Sequence, residues 1–418
     1  MSDTADLYKG SLSPEQAVDR LVSGVARVAN TIAVDTGLAA GRFLSEDILA
    51  ASNLPATNNA AVDGYAVDAS FLEANPDHDF RIIGKAAAGH PFPDTVGVGE
   101  TVRIFTGAVM PDGADAVAMQ EFCVADEAST TVRIGRRVAA GGNNRPVGEN
   151  LRAGEIIAKA GCRLGAAEIG ILSAAGKAQI SVIRRLRVGL LSMGDEVVSA
   201  GSVTAPGQLY DSNRPMLAAM IEADGHEVHD FGIVPDNARA LTDSYRQALA
   251  TCDAVISSGG ASDGEEDHTQ EAMRRLAIEP SFWRLAIKPG RPMAAGISDK
   301  SNPVMCLPGN PVAAFVCFRL VAAPVLTFMA GGTPIPPTRI PVRCAFDHRK
   351  SPGRTEYLRV RLATGRDGKP EMSLHGRKGA GVLSSLTGAD GLVEIPVDND
   401  GVAVGDYLSF IAFRETAL

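Results

Sequence analysis

Apolar positions along the chain change rhythm several times, and each rhythm predicts a different element. Ser13-Pro14 has the form of an N-cap and a first helical residue. Ala17, Leu21, Val22, Val25 and Val28 continue as one stripe, predicting a helix over 12–30. From about 56 to 147, short β-like runs (Phe80–Gly84, Thr101–Phe105, Ala116–Gln120, Thr131–Val138) alternate with Gly, Pro and Asp turns, as in a small β-rich domain. Gly-punctuated helix and strand patterns over 150–180 are expected to rejoin the N-terminal helix, which makes the β-rich domain an insertion.

The region 181–330 alternates strand and helix patterns. The expected strands are Arg187–Ser192, 226–234, Ala254–Ser257 and Val304–Leu307, and the expected helices are 212–224, 237–251, one near 267–277 and 311–328. Such spacing means βαβ units and a mostly parallel sheet, whose ligands bind beyond the carboxyl ends of the strands. A Pro-rich linker at 331–340 precedes strands at Tyr357–Leu362, Gly391–Pro396 and Tyr407–Phe413. The expected fold is a multidomain α/β chain. Residues 1–55 with 148–180 form a helical and mixed linking domain I, 56–147 the inserted β-rich domain II, 181–330 the α/β domain III and 335–418 a C-terminal β domain IV.

Composition narrows the classes. A chain of 418 residues with 45% hydrophobic and 21% charged residues can bury several cores. Its net charge of −9 disfavours a broad basic face for nucleic acid. No uncharged apolar run approaches the length of a membrane helix, and the acidic N-terminus shows no secretory pattern, so no membrane partner and a cytoplasmic location are expected. The 6 cysteines contain no CxxC pair, which fits a reducing compartment and core packing.

The tips of the presumed parallel strands carry the candidate chemistry. They are Ser192-Met-Gly-Asp195-Glu196, Val234-Pro-Asp236, Ser257-Ser-Gly259-Gly260 running on through Ser262, Asp263 and Asp267, and Pro308-Gly309-Asn310-Pro311. Beside them lies Arg284-Leu-Ala-Ile-Lys288-Pro289-Gly290-Arg291-Pro292. A Gly-Gly turn lets backbone N–H groups approach an anion, and Lys288 and Arg291 add positive charge. Carboxylates on the same rim would repel a phosphate unless a divalent cation, most simply Mg²⁺, lay between them. The competing reading is that these acids are helix caps and solvated charge. Gly170–Lys177 lacks the spacing of a P-loop, and His226 and His229 would point to opposite faces of a strand.

With those residues in view, the sequence resembles the molybdopterin molybdotransferase family, the bacterial MoeA proteins and the gephyrin E-domain. The resemblance rests on Val62–Ala66, Phe105–Ala108 with Pro111–Val117, Asn143–Glu149, Ser192–Glu196, Ser257–Asp267, Lys288–Pro292, Leu307–Pro311, Gly353–Arg359 and Ala389–Pro396, in the family's order and almost end to end. It implies a four-domain homodimer whose third domain binds molybdopterin and whose active site meets the partner's second domain. The implied reaction is the last step of molybdenum cofactor assembly: molybdate is inserted into adenylylated molybdopterin, and the phosphoanhydride is cleaved with release of AMP. By the same resemblance, Glu196, Asp236 and Asp267 would hold Mg²⁺, and Asp63, Thr106, Arg145 and Lys288 would join them in catalysis. Gly259, Gly260, Ser262, Arg284, Pro289, Arg291, Pro308, Gly309, Asn310, Arg354 and Ser384 would bind substrate. Molybdopterin adenylyltransferase and molybdoenzymes are the implied exchange partners.

Some positions depart from the family pattern. Arg284 stands where some members carry Lys, Asp263 adds a carboxylate to the Gly-rich turn, and Ala380 occupies a place where a Ser is frequent in the molybdate site. Arg354 and Ser384 or Ser385 are the residues left to compensate. Two other functions fit parts of the chain: the preceding adenylylation step, which shorter single-domain proteins perform, and a non-catalytic pterin-binding scaffold.

Overall fold

The computed structural model describes residues 11–126, 130–260 and 268–413. The chain opens with α1 (Pro14–Val22), capped reciprocally: Gln16 N donates to Ser13 Oγ at 3.2 Å and Ser13 N donates to Gln16 Oε1 at 2.9 Å. The helix stops well short of residue 30. Ser23-Gly24 ends it, and Gly24 packs so closely that a Cβ there would collide with Ile297. Strand Thr31–Asp35 then pairs antiparallel with Gln179–Ile183, so the chain returns to this point after a long excursion.

The excursion builds a six-stranded sheet from β1 (Gly64–Val67), β2 (Asp79–Ala86), β3 (Glu100–Ile104), β4 (Ala116–Met119), β5 (Cys123–Asp126) and β6 (Thr131–Ile134). The strand order is β4-β1-β3-β2-β6-β5, with only β2 and β3 parallel. Its buried residues form two clusters of their own, one around Val102 and Ile104 and one around Phe80 and Val132.

The central unit contains β7 (Arg187–Met193), α2 (Asn213–Ala223), β8 (Glu227–Val234), α3 (Ala238–Thr251), β9 (Ala254–Ser258), α4 (His268–Arg275), β10 (Glu279–Phe282), β11 (Ala294–Ile297) and β12 (Pro303–Leu307). The sheet order is β8-β7-β9-β12-β11-β10. The first four strands are parallel and the last two antiparallel, as the alternating pattern predicts for a mostly parallel sheet. The stretch expected as one helix over 311–328 is interrupted. It runs as α5 (Pro311–Cys317), a π turn at Phe318–Ala322, and α6 (Ala323–Met329). Pro324 has no N–H to offer the Leu320 carbonyl, and the ladder widens to accommodate it. By length and composition Pro311–Met329 would span a membrane, but it is 67% buried within the protein, as befits a core helix.

The C-terminal unit comprises β13 (Ile340–Cys344), β14 (Thr355–Thr364), β15 (Pro370–Leu374), β16 (Gly391–Ile395) and β17 (Tyr407–Ala412). They close a ring in the order β14-β15-β13-β17-β16 and back to β14, a small barrel without free edges. Ile287–Lys288, from the central unit, adds to β14 in parallel and sets Lys288 opposite Glu356. One continuous core joins α1, the central sheet, α5, α6 and the barrel residues Tyr357, Leu392 and Ile411. Central unit and barrel are therefore packed as one body, while the inserted sheet keeps its own cores.

Candidate functional site

Two adjoining cavities lie on the rim of the central sheet. The first, a cleft of about 700 Å³, is bounded by the carboxyl ends of the parallel strands. Of the expected residues it brings together Glu196, Asp236, Gly259, Gly260, Pro308, Gly309 and Asn310. The second, about 460 Å³, opens between the central unit and the barrel and collects Lys288, Pro289, Arg291 and Arg354. Pro292, Pro308 and Asn310 line both.

Local geometry explains the glycines. Gly259 and Gly260 both have positive φ (92° and 74°), and an added Cβ would meet Met193 O at 2.7 Å or Met193 Sδ at 2.7 Å. No other residue type can make this turn, which Thr269 Oγ1 secures by donating to Gly260 O at 2.9 Å. Gly194, at φ 135°, leaves room for the Glu196 carboxylate, which lies 2.5 Å from where its Cβ would stand. Asp236 N donates to Asp195 Oδ1 at 3.0 Å, tying two strand tips together. Beneath them, Asn213 Nδ2 donates to Ser258 Oγ and to Gly309 O, each at 2.7 Å, and joins α2 to two strand ends. Asp211 holds that helix start by accepting from Arg214 N at 3.1 Å and Nε at 2.9 Å.

The second cavity is electrostatically organised. Glu356, 4% exposed, accepts from Lys288 Nζ at 2.8 Å on one oxygen and from His348 Nε2 at 3.0 Å on the other. Lys378 Nζ donates to His348 Nδ1 at 2.8 Å, so the imidazole carries its proton on Nε2. Burial opposes ionisation of Glu356, but the bonds from Lys288 and His348 outweigh it and hold its pKa below the ordinary range. Buried Arg359 anchors the loop bearing Lys378 by donating to Arg377 O at 3.1 Å and Gly379 O at 3.3 Å. Lys288, Arg291, Arg354, Lys378 and Arg359 line this cavity together with Glu356, a set suited to an oxyanion. Ala380 lines this cavity as well. Its carbonyl accepts from Val312 N at 3.0 Å and ties the barrel loop to the start of α5.

Other expected residues lie elsewhere. Asp63 accepts from Thr106 N at 2.8 Å and Oγ1 at 2.7 Å, bonds that lower its pKa. Arg145, half-exposed, donates to Glu149 at 2.7 Å and pairs with Asn59, while Gly107 N bonds Ala60 O on the same short strand. Asp63 and Thr106 stand at adjoining ends of β1 and β3, Arg145 on a separate two-stranded ribbon with Asn59–Ala60, and none of the three lines either cavity of its own chain. Arg284 lines neither cavity; its carbonyl accepts from Leu12 N at 3.2 Å. Ser384 is exposed and also outside both, whereas Ser385 is buried and accepts from Arg359 Nε at 2.9 Å. Ser262 and Asp267 lie outside the described residues.

Glu196 and Asp236 fit a hard cation in kind, since Mg²⁺ is held by one or two carboxylates together with substrate phosphates and water. Among the described residues no group of three potential ligands surrounds a common point. Sequence reasoning missed Asn213, Ser192, His348, Glu356 and Lys378 as site residues. Ser192 and Glu356 stand inside quoted motifs, while the others carry no spacing signal.

Comparison with known proteins agrees with this geometry. Three family descriptions match in succession: "MoeA N-terminal region (domain I and II)" over 12–176, "Probable molybdopterin binding domain" over 189–327, and "MoeA C-terminal region (domain IV)" over 341–413. A molybdopterin molybdenumtransferase from Haemophilus influenzae is 31% identical across 96% of this chain and 99% of its own length. One from a Nostoc species is 36% identical over 72% of this chain and 70% of its own. A solved molybdopterin biosynthesis MoeA protein from Pyrococcus horikoshii superposes with a TM-score of 0.81 at 26% identity, covering 96% of this chain and all of that one (100%).

Proposed function

The chain belongs to the molybdopterin molybdenumtransferase family and is a transferase of molybdenum cofactor biosynthesis; from that premise we propose how its two cavities divide the reaction. Adenylylated molybdopterin occupies the larger cleft, with its pyrophosphate at the Gly259-Gly260 turn. Molybdate enters the smaller cavity beside Lys288, Arg291 and Arg354 and meets the dithiolene at the shared wall of Pro292, Pro308 and Asn310. The observation that carries this reading is that shared wall: a cleft of substrate size adjoins a cavity lined by cations.

Cleaving the phosphoanhydride and releasing AMP requires charge neutralisation and positioning rather than a protein nucleophile. Lys288 is held in place for this by Glu356, and Lys378 supplies a further cation where Ala380 supplies no hydroxyl. Mg²⁺ bound by Glu196 and Asp236, with Asp267, would neutralise charge between the carboxylates and the phosphates. Asp63, Thr106 and Arg145 reach the cleft from a second copy, so the working unit is a homodimer. Leu209, 52% exposed on the cleft wall, and its neighbour Tyr210 (48%) support a covering partner. We place the enzyme in the cytoplasm, where molybdopterin adenylyltransferase would supply its substrate and molybdoenzymes receive its product.

Incubating the full chain with adenylylated molybdopterin, Mg²⁺ and molybdate tests the reading. AMP release together with active cofactor is expected. Pterin binding without AMP release would make the protein a carrier and overturn the assignment.

A further inference from the structure

In the cation cavity the hydrogen bonds run as a chain through Glu356. Lys288 Nζ donates to one carboxylate oxygen at 2.8 Å and His348 Nε2 to the other at 3.0 Å, while the far nitrogen of that imidazole accepts from Lys378 Nζ at 2.8 Å. One carboxylate therefore orients two ammonium groups, Lys288 directly and Lys378 through a neutral ring. The inner members are buried, with Glu356 4% and His348 8% exposed, whereas both lysines are exposed, and all four residues line the cavity. The ends of the chain are thus the parts that a solute can reach. An ammonium carries three N–H donors, and among the described residues each lysine spends one of them in this chain. The donors left over suit a ligand with several anionic oxygens.

Lys378 needs such a holder. It stands on the loop between β15 and the turn at Leu383–Ser385, where Gly376 and Gly379 both have positive φ (68° and 137°). A lysine stem is flexible and loses rotamer entropy when its ammonium is fixed. The bond to Nδ1 fixes it before an anion arrives, and the bond from Nε2 to Glu356 selects the ring tautomer that can accept it. We propose that His348 is a positioning residue that seats Lys378 as a second fixed ammonium, and that Lys288 and Lys378 together make the cavity prefer a doubly charged tetrahedral oxyanion over a singly charged one of the same shape. The proposal rests on the reading that this cavity receives molybdate and deepens it. A residue that acts only through its neighbour decides which oxyanions the cavity retains.

Equilibrium binding to the full-length protein tests it with molybdate and perrhenate, tetrahedral oxyanions of similar size that carry two charges and one. Wild type should bind molybdate about tenfold more tightly or better. His348→Leu and Lys378→Met should each weaken molybdate on the order of tenfold, the loss of one charge-assisted contact, and perrhenate by no more than about threefold. Combining the two substitutions should cost no more than Lys378→Met alone, because the ring acts through the lysine. In His348→Gln the amide can donate to Glu356 and accept from Lys378, so molybdate binding should return to within about threefold of wild type. In turnover, His348→Leu should raise the KM for molybdate more than it lowers kcat, and spare the KM for adenylylated molybdopterin. Lys378→Met leaves both bonds to Glu356 in place, so it decides the matter even where His348→Leu does not fold. Equal affinity of wild type for the two anions, additive losses in the double variant, or molybdate binding within about twofold of wild type in Lys378→Met overturns the proposal and leaves the molybdate assignment standing. If wild type binds neither anion, the molybdate assignment falls first and this proposal with it.

Discussion

The two cavities share a wall and differ in almost everything else. In the larger, acceptor groups predominate, and two buried polar atoms stand unpaired. In the smaller, cations predominate, and its buried carboxylate is paired on both oxygens. The difference shows two ways of preparing a site. The cleft gathers carboxylates and a glycine turn at the strand tips, over a floor tied together by Asn213. The cation cavity is organised by internal pairing: Glu356 neutralises and orients Lys288, and further cations line the same wall.

The sharpest way to break this comparison is to remove the lysine. Lys288→Ala should lower AMP release on the order of 10²-fold or more, with a smaller change in pterin binding, because a cation acting on developing charge is felt mainly in the transition state. It also leaves Glu356 buried with one oxygen unpaired, which should destabilise the fold by about 1–2 kcal/mol once the half-exposed position of the lysine is allowed for. The double variant Lys288→Ala with Glu356→Gln should recover the stability, read by chemical denaturation, but not the turnover. Recovery of both would make Lys288 a structural residue only.

The contrast between the cavities and the inserted sheet is the next to test. Asp63 and Thr106, at the ends of β1 and β3, and Arg145, on the two-stranded ribbon with Asn59–Ala60, line neither cavity of the same chain. Mixing Asp63→Ala chains with Lys288→Ala chains should therefore restore activity. Random assortment makes about half the dimers mixed, and each mixed dimer holds one intact and one doubly damaged site. The mixture should regain about a quarter of wild-type turnover. Activity no higher than either variant alone, with exchange verified by differently tagged chains, would mean each site is built within one chain.

Much of the cleft was legible in the sequence because it is built from strand tips. A buried apolar run followed by Gly, Asp or Asn at regular intervals locates such tips without knowledge of packing, and Glu196, Asp236, Gly259 and Asn310 all come together as that logic requires. The cation cavity was less legible. His348, on a two-residue strand paired with Gly401–Val402, and Lys378 sit 30 residues apart with no motif, and the folding of the barrel unit brings them to Glu356. Arg284 shows the opposite failure: sequence proximity to Lys288 suggested a shared site, but the two-residue strand at Ile287–Lys288 carries only the lysine to the barrel. At 384 and 385 a single residue decides which serine faces inward, and no pattern over a three-residue turn fixes that. The unpaired atoms of the cleft floor, Ser192 Oγ and Asn213 Oδ1, are invisible to pattern because being unpaired is a property of the assembled floor.

The smallest expected effect concerns acid. Glu356 has a pKa held below its ordinary value near 4.5, against the opposing effect of burial, by Lys288 and His348. A carboxylate depressed in the folded state adds stability that is fully present above its unfolded pKa and is lost as pH falls through the folded one. The pairing should therefore be intact at pH 6 and weaken progressively below about pH 4.5. Because Lys288 is 55% exposed, the component should be under about 1 kcal/mol. Denaturant titrations of wild type and Glu356→Gln at pH 6 and pH 4 isolate it: the difference between the two proteins should narrow at the lower pH. A difference that stayed constant would mean that His348 and Lys288 bind the neutral side chain as well as the charged one. The cation cavity would then owe its organisation to shape rather than to charge.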